Sequence, residues 1–164
     1  MARIEDYEPF KVAIKEKDRN LKWHRRFVEM AELVATWSKD ESTKVGCVIV
    51  GPNKEVRSVG YNGFPRGVME TPKRLVRPEK YLWTEHSERN AIYNAARMGL
   101  SLEGCTLYSS WIPCMDCARA IIQSGIVSVY GKLKEDINVD KWGEHFAHIN
   151  SMFNEAGVDF YIIP

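Results

Sequence analysis

No part of this 164-residue chain constrains its fold more than the stretch from His86 to Cys117. It opens on His86-Ser87-Glu88 and closes on Pro113-Cys114-Met115-Asp116-Cys117. A proline favours the first position of a helix, and residues three apart at a helix start share a face. Cys114 and Cys117 can therefore turn both sulfurs to one ion, and His86 offers a third ligand of the kind zinc takes. Any fold for this chain has to bring those two helix starts together. A structural zinc site is closed by four protein ligands, whereas a catalytic one leaves a position open for water. No fourth candidate lies at ligand spacing in the sequence. Glu88, two residues after His86, is the natural acid and base toward that water. On a regular helix residues two apart diverge, but side chains of the first turn can fold over the helix end.

Around that stretch the hydrophobic pattern alternates between helix and strand. Phe27, Met30, Ala31, Val34 and Trp37 recur at helical spacing and predict a helix from about Leu21 to Ser38. Val45 to Val50 reads as a buried strand, Gly51 to Lys54 as a turn, and Val56 to Tyr61 as its hairpin partner. Asn62 to Gly67 is too rich in glycine and proline for regular structure. A polar loop carrying Arg66, Lys73, Arg74 and Arg77 then runs to about Lys80; long ordered loops of this kind tend to be functional. Further helices are expected from His86 to Gly99, Cys114 to Ser124 and Asp140 to Ala156, the last with Trp142, Phe146, Ile149 and Phe153 in register. Strands are expected at Thr106–Ser109, Ile126–Tyr130 and Val158–Ile163. His24, His145 and His148 fall on amphipathic helices and read as ordinary surface or edge histidines.

Strands that alternate with helices suggest parallel pairing through right-handed crossovers. The expected fold is α/β: one domain over residues 1–164, a five-stranded mixed sheet with helices on both faces. Residues 1–20 lack a clear period and read as a mobile arm or an extra helix. His86 and Cys114 would both open helices that follow strand ends, where open α/β sheets bind ligands.

Composition narrows the partners. The net charge of +1 points to no large polyanion. No apolar run approaches the roughly 20 residues of a membrane span, and the start lacks the apolar core of a signal peptide. Four cysteines, two of them suited to metal, are no disulfide framework, and a reducing cytoplasm fits best.

H-x-E followed by P-C-x-x-C is the signature of zinc nucleobase deaminases. Four further segments extend the likeness: Ser38-Lys39-Asp40 with Thr43-Lys44-Val45-Gly46, Gly60 to Gly67, His86 to Ile92, and Ile121 to Ile126. Over residues 25 to 163 the chain resembles the deoxycytidylate deaminases of the zinc-dependent cytidine and deoxycytidylate deaminase family. The Tyr61-Asn62-Gly63-Phe64-Pro65 segment narrows the likeness to that branch. The resemblance implies a cytidine-deaminase-like three-layer α/β/α sandwich and hydrolysis of dCMP to dUMP and ammonia with Zn2+. It implies that Asn62 reaches the sugar or base, that the Ser87 N–H bonds the pyrimidine O2, and that Ser110 and Trp111 line the base pocket. It also implies a homo-oligomer, often a hexamer, and control by dCTP or dTTP. Lys44, at the start of a strand near the site, and Arg66 are candidates for the 5′-phosphate. Arg66 could equally only cap its loop.

The chain departs from the family in three ways. Ser87 stands where alanine or cysteine is usual, a change a backbone contact tolerates. Ser110-Trp111-Ile112-Pro113-Cys114 resembles polynucleotide cytidine deaminases more closely, and no Cys/His-rich insertion for a second zinc is present. A deaminase of another cytosine nucleotide or of single-stranded nucleic acid is the alternative. The latter needs a continuous cationic track that the net charge does not suggest. A zinc-stabilised binding module would leave Glu88 without a role.

Overall fold

The apolar run after Lys44 becomes β1 (Gly46–Val50), buried at every residue and flanked by a strand on either side. In the computed structural model, which describes residues 20–133 and 139–163, the expected five-stranded mixed sheet is present, in the order β2-β1-β3-β4-β5. The other strands are β2 (Val56–Tyr61), β3 (Thr106–Ser109), β4 (Ser128–Lys132) and β5 (Asp159–Ile163). Residues 1–19, most of the stretch expected to be an arm or helix, lie outside the described residues.

The antiparallel part of the expected mixed sheet lies at β1, which is antiparallel to both β2 and β3. The tight turn before β2 makes a hairpin, and the chain then recrosses the sheet before entering β3 on the far side of β1. β3–β4 and β4–β5 are parallel, as the alternation predicts. Strand side chains alternate between two cores. Cys47 and Ile49 face one core, with Leu107 and Val129; Val48 and Val50 face the other, with Tyr108 and Tyr130.

Helix α1 (Leu21–Ala35) covers the second face with Phe27, Val28, Ala31 and Val34. Trp37, expected on that stripe, falls past the helix end and is 52% exposed. Helices α4 (Ser87–Met98), α5 (Met115–Gln123) and α6 (Val139–Ala156) pack on the opposite side, completing three layers. The polar loop contains two single-turn helices, α2 (Pro72–Leu75) and α3 (Lys80–Trp83). Their short length left no period for a sequence reading to find.

One glycine sets the depth of the site. A Cβ on Gly60 of β2 would stand 2.3 Å from Ala91 N and 2.4 Å from Ser87 O. Only glycine lets the first turn of α4 lie this close to the sheet, and that turn carries Ser87 and Glu88. Among the described residues no helix is long and apolar enough to cross a membrane.

Candidate active site

His86 is the N-cap of α4 and Cys114 the N-cap of α5, so the two helix starts predicted to converge do so. Nδ1 of His86 lies 3.4 Å from Cys114 Sγ and 3.6 Å from Cys117 Sγ. All three donor atoms lie within 4.8 Å of one another. A tetrahedral zinc with ordinary Zn–S and Zn–N bonds sets its donors about 3.5 Å apart. The donor set therefore fits one such ion in both chemistry and spacing. Arg89 holds the two helix starts together: it pairs with Glu85 beside His86 and, at 3.6 Å, with Asp116 of α5.

The thiols do not titrate independently. A hydrogen bond from Cys117 pulls the Cys114 thiol well below its usual range, and burial only partly opposes this. The same bond and burial push Cys117 up. The pair thus shares one proton, and a metal would displace it. His86 is raised by its hydrogen bond to Cys114.

Glu88 lies behind this set, 3% exposed, with Oε2 3.6 Å from Cys117 Sγ. Ser87 Oγ donates to Oε2 at 3.0 Å, and Ser109 Oγ approaches Oε1 at 3.5 Å. Burial pushes the carboxyl up, partly offset by hydrogen bonding and by His86. An acid held nearer neutrality takes and returns protons more readily.

The site opens into a cavity of about 450 Å³. Asn62, Lys44, Ser87, Ser110 and Trp111, all expected at the substrate, line it together with Glu88, His86 and Cys114. Asn62 has a structural task as well: its amide accepts from Val45 N–H and donates to Thr43 O, both at 2.8 Å. Ser110 Oγ accepts from Gly46 N–H at 3.0 Å. The structure does not bring Arg66 here. It lies in a separate cleft of about 350 Å³ and donates to Asn94 Oδ1.

Several lining residues carried no sequence signal. His145 and Trp142 of α6 border the cavity, whereas the pattern made one a surface histidine and the other core. His24, also read as surface, stacks on Tyr130 and hydrogen-bonds Tyr108 Oη. Asp40 and Lys80 line the cavity as an ion pair, and nothing local marks Lys80 as buried. The Asp-x-Ser-Thr spacing after Ser38-Lys39 does hint at a turn closed on an aspartate.

Residues 21–132 match the family described as the cytidine and deoxycytidylate deaminase zinc-binding region. An uncharacterized deaminase in the luxG 3′ region of Aliivibrio fischeri is 46% identical over 143 residues, 87% of this chain and 95% of that protein. The Homo sapiens deoxycytidylate deaminase is 34% identical over 157 residues, 91% of this chain and 84% of the human protein. In fold, the dCMP deaminase of cyanophage S-TIM5, solved with dCMP and dUMP, superposes with a TM-score of 0.69 at 24% identity, over 87% of this chain and 98% of that one. The chain belongs to the cytidine and deoxycytidylate deaminase family.

Proposed function

We propose that this chain hydrolyses dCMP to dUMP and ammonia at Glu88, with one zinc held by His86, Cys114 and Cys117. The observation that carries the reading is a buried carboxylate set 3.6 Å behind a His/Cys/Cys donor set at the base of a nucleotide-sized cavity. Relatives named deoxycytidylate deaminase support the choice of substrate. Bound zinc supplies the Lewis acidity that makes water a nucleophile at neutral pH.

The protein's own groups do the rest. Glu88 takes a proton from water through a carboxylate oxygen and passes it to ring N3, which makes C4 electrophilic. Oxygen bonds to C4. Glu88 then moves the second water proton to the amino nitrogen, the C4–N bond breaks, and ammonia leaves. Ser87 holds Glu88 Oε2 in place. Its N–H, in the first turn of α4, is among those with no intrahelical acceptor, and it binds the pyrimidine O2. Trp111 and Ser110 wall the base, and Asn62 reaches the sugar or base.

Regulation by dCTP or dTTP and assembly into a homo-oligomer belong to the same reading. Sedimentation tests the assembly. The free thiols of Cys47 and Cys105 fit a reducing compartment such as the cytoplasm.

The test is kcat/KM for deoxycytidine, dCMP, dCTP and a single-stranded oligonucleotide on one preparation. A charge-assisted contact to phosphate is worth about 1.5–3 kcal/mol, so dCMP should exceed deoxycytidine roughly 10–100-fold. Equal values would move the assignment to a nucleoside deaminase. Turnover of the oligonucleotide alone would move it to nucleic acid.

A further inference from the structure

Lysine is almost never buried without a partner, and Lys80 is 7% exposed in its side chain. Its ammonium lies 2.8 Å from Asp40 Oδ2 and 2.6 Å from Ser42 Oγ. Asp40 is equally engaged: Oδ1 accepts from Ser42 N–H and Oγ–H, both at 2.9 Å, and from Thr43 N–H at 3.0 Å. Burial pushes this carboxyl up, but Lys80 and those donors together hold it at about 2. The Asp40 carboxyl is therefore charged at neutral pH and is matched by the cation it pairs with.

The backbone from Asp40 to Thr43 is thus wound round one carboxylate and tied to α3. Asn62 grips the next two fixed points, Thr43 O and Val45 N–H. Lys44 sits between them and lines the cavity, as does Arg77, three residues before Lys80. No acidic side chain among the described residues pairs with Lys44 or Arg77. With Asp40 and Lys80 cancelling each other, this wall presents two cations, which matches a phosphate dianion.

We propose that the Asp40–Lys80 pair is a charged strut that positions Lys44 against the anionic end of the substrate. It sets the preference for nucleotide over nucleoside without touching the reacting ring. The inference rests on the reading of the cavity as a dCMP site. Asp40 and Lys80 act through Lys44, so they are positioning residues.

Removing one partner would leave the other's charge buried and alone, so the test uses the double variant Asp40→Asn/Lys80→Met. Asparagine keeps the acceptor for Ser42 and Thr43, and methionine keeps the stem. For dCMP, kcat/KM should fall ~10–100-fold, chiefly through KM, and for deoxycytidine less than ~3-fold, with zinc content and far-UV dichroism kept. Lys44→Ala should cost ~10-fold on dCMP in the wild type but less than ~3-fold in the double variant, because the two changes remove one device. Equal losses on both substrates, or an undiminished Lys44→Ala effect in the double variant, would overturn the strut. If the double variant does not fold, Asp40→Glu lengthens the strut by one methylene with the charge kept and is read by the same two ratios. A wild type with no preference for dCMP defeats the substrate reading and the strut together. A preference that survives in the variant defeats the strut alone.

Discussion

Two walls of the cavity are made in different ways. The metal wall comes from two helix starts, with His86 and Cys114 as caps and a glycine under the first turn of α4. Its geometry follows from local backbone. The second wall comes from two loops, 36–45 and 62–84, held by Asp40–Lys80 and by the Asn62 amide. Its geometry follows from tertiary pairing of charged and polar groups. In the proposed function the metal wall holds the reacting ring, where small displacements matter most. The loop wall decides what else the ligand must carry.

Breaking the metal wall should have the largest effect. Cys114→Ala removes one of three ligands, so metal analysis should show zinc largely gone and activity at least ~10³-fold down. Cys47→Ala and Cys105→Ala should keep the metal. Cys47 is buried in β1 and Cys105 is buried just ahead of β3, both away from the donor set. Full zinc retention in Cys114→Ala would break the contrast between the walls.

Glu88→Gln separates the proton work from the metal. Glutamine keeps the shape and still accepts from Ser87 Oγ, but it cannot take a proton. Zinc should stay while turnover falls ~10²–10⁴-fold on dCMP and deoxycytidine alike. A substrate-dependent loss would mean that Glu88 also shapes the far end of the cavity.

The two walls also differ in how readable they were. His86, Glu88, Cys114 and Cys117 are separated by helix-start spacings, which translate directly into a shared face, and the structure brings them together. The sheet, its hairpin and the four long helices were legible for the same reason: each carries its own period. Lys80 was not. A lysine next to Tyr81 in a polar loop has no local mark of burial, and its partner lies 40 positions earlier. His145 and Trp142 fail for a related reason, since a helical period gives a face but not which cavity that face borders. Arg66 is the converse case: its place in the chain left phosphate contact and loop capping equally open, and the loop's path sets it in the second cleft against Asn94.

Acid should loosen the loop wall first. Asp40 has a folded pKa of about 2 against an ordinary value of 3.8. A depressed carboxyl contributes stability that is fully present above its unfolded pKa and is lost as pH falls through the folded one. The shift is worth about 2 kcal/mol near neutrality, with roughly half gone by pH 3. In urea melts the stability of the wild type relative to Asp40→Asn/Lys80→Met should therefore fall by about 1 kcal/mol as pH drops from 6 to 3, because shared titrations cancel in the difference. A gap that holds constant over that range would show that the carboxylate adds nothing to the wall.

Arg66→Ala should have the smallest effect and is the sharpest control on the loop wall. Arg66 donates to Asn94 in the second cleft and does not line the cavity. Its charge can act on a nucleotide only at long range, through solvent, where salt screens it. KM for dCMP should rise no more than ~2-fold at low ionic strength and should return to the wild-type value in ~0.5 M salt, with deoxycytidine unaffected. Lys44→Ala, by contrast, removes a cation at the cavity surface, and its ~10-fold effect should largely survive the salt. If Arg66→Ala matched Lys44→Ala in size and salt resistance, Arg66 would have to reach the phosphate, and the loop 62–84 would have to close differently around bound nucleotide.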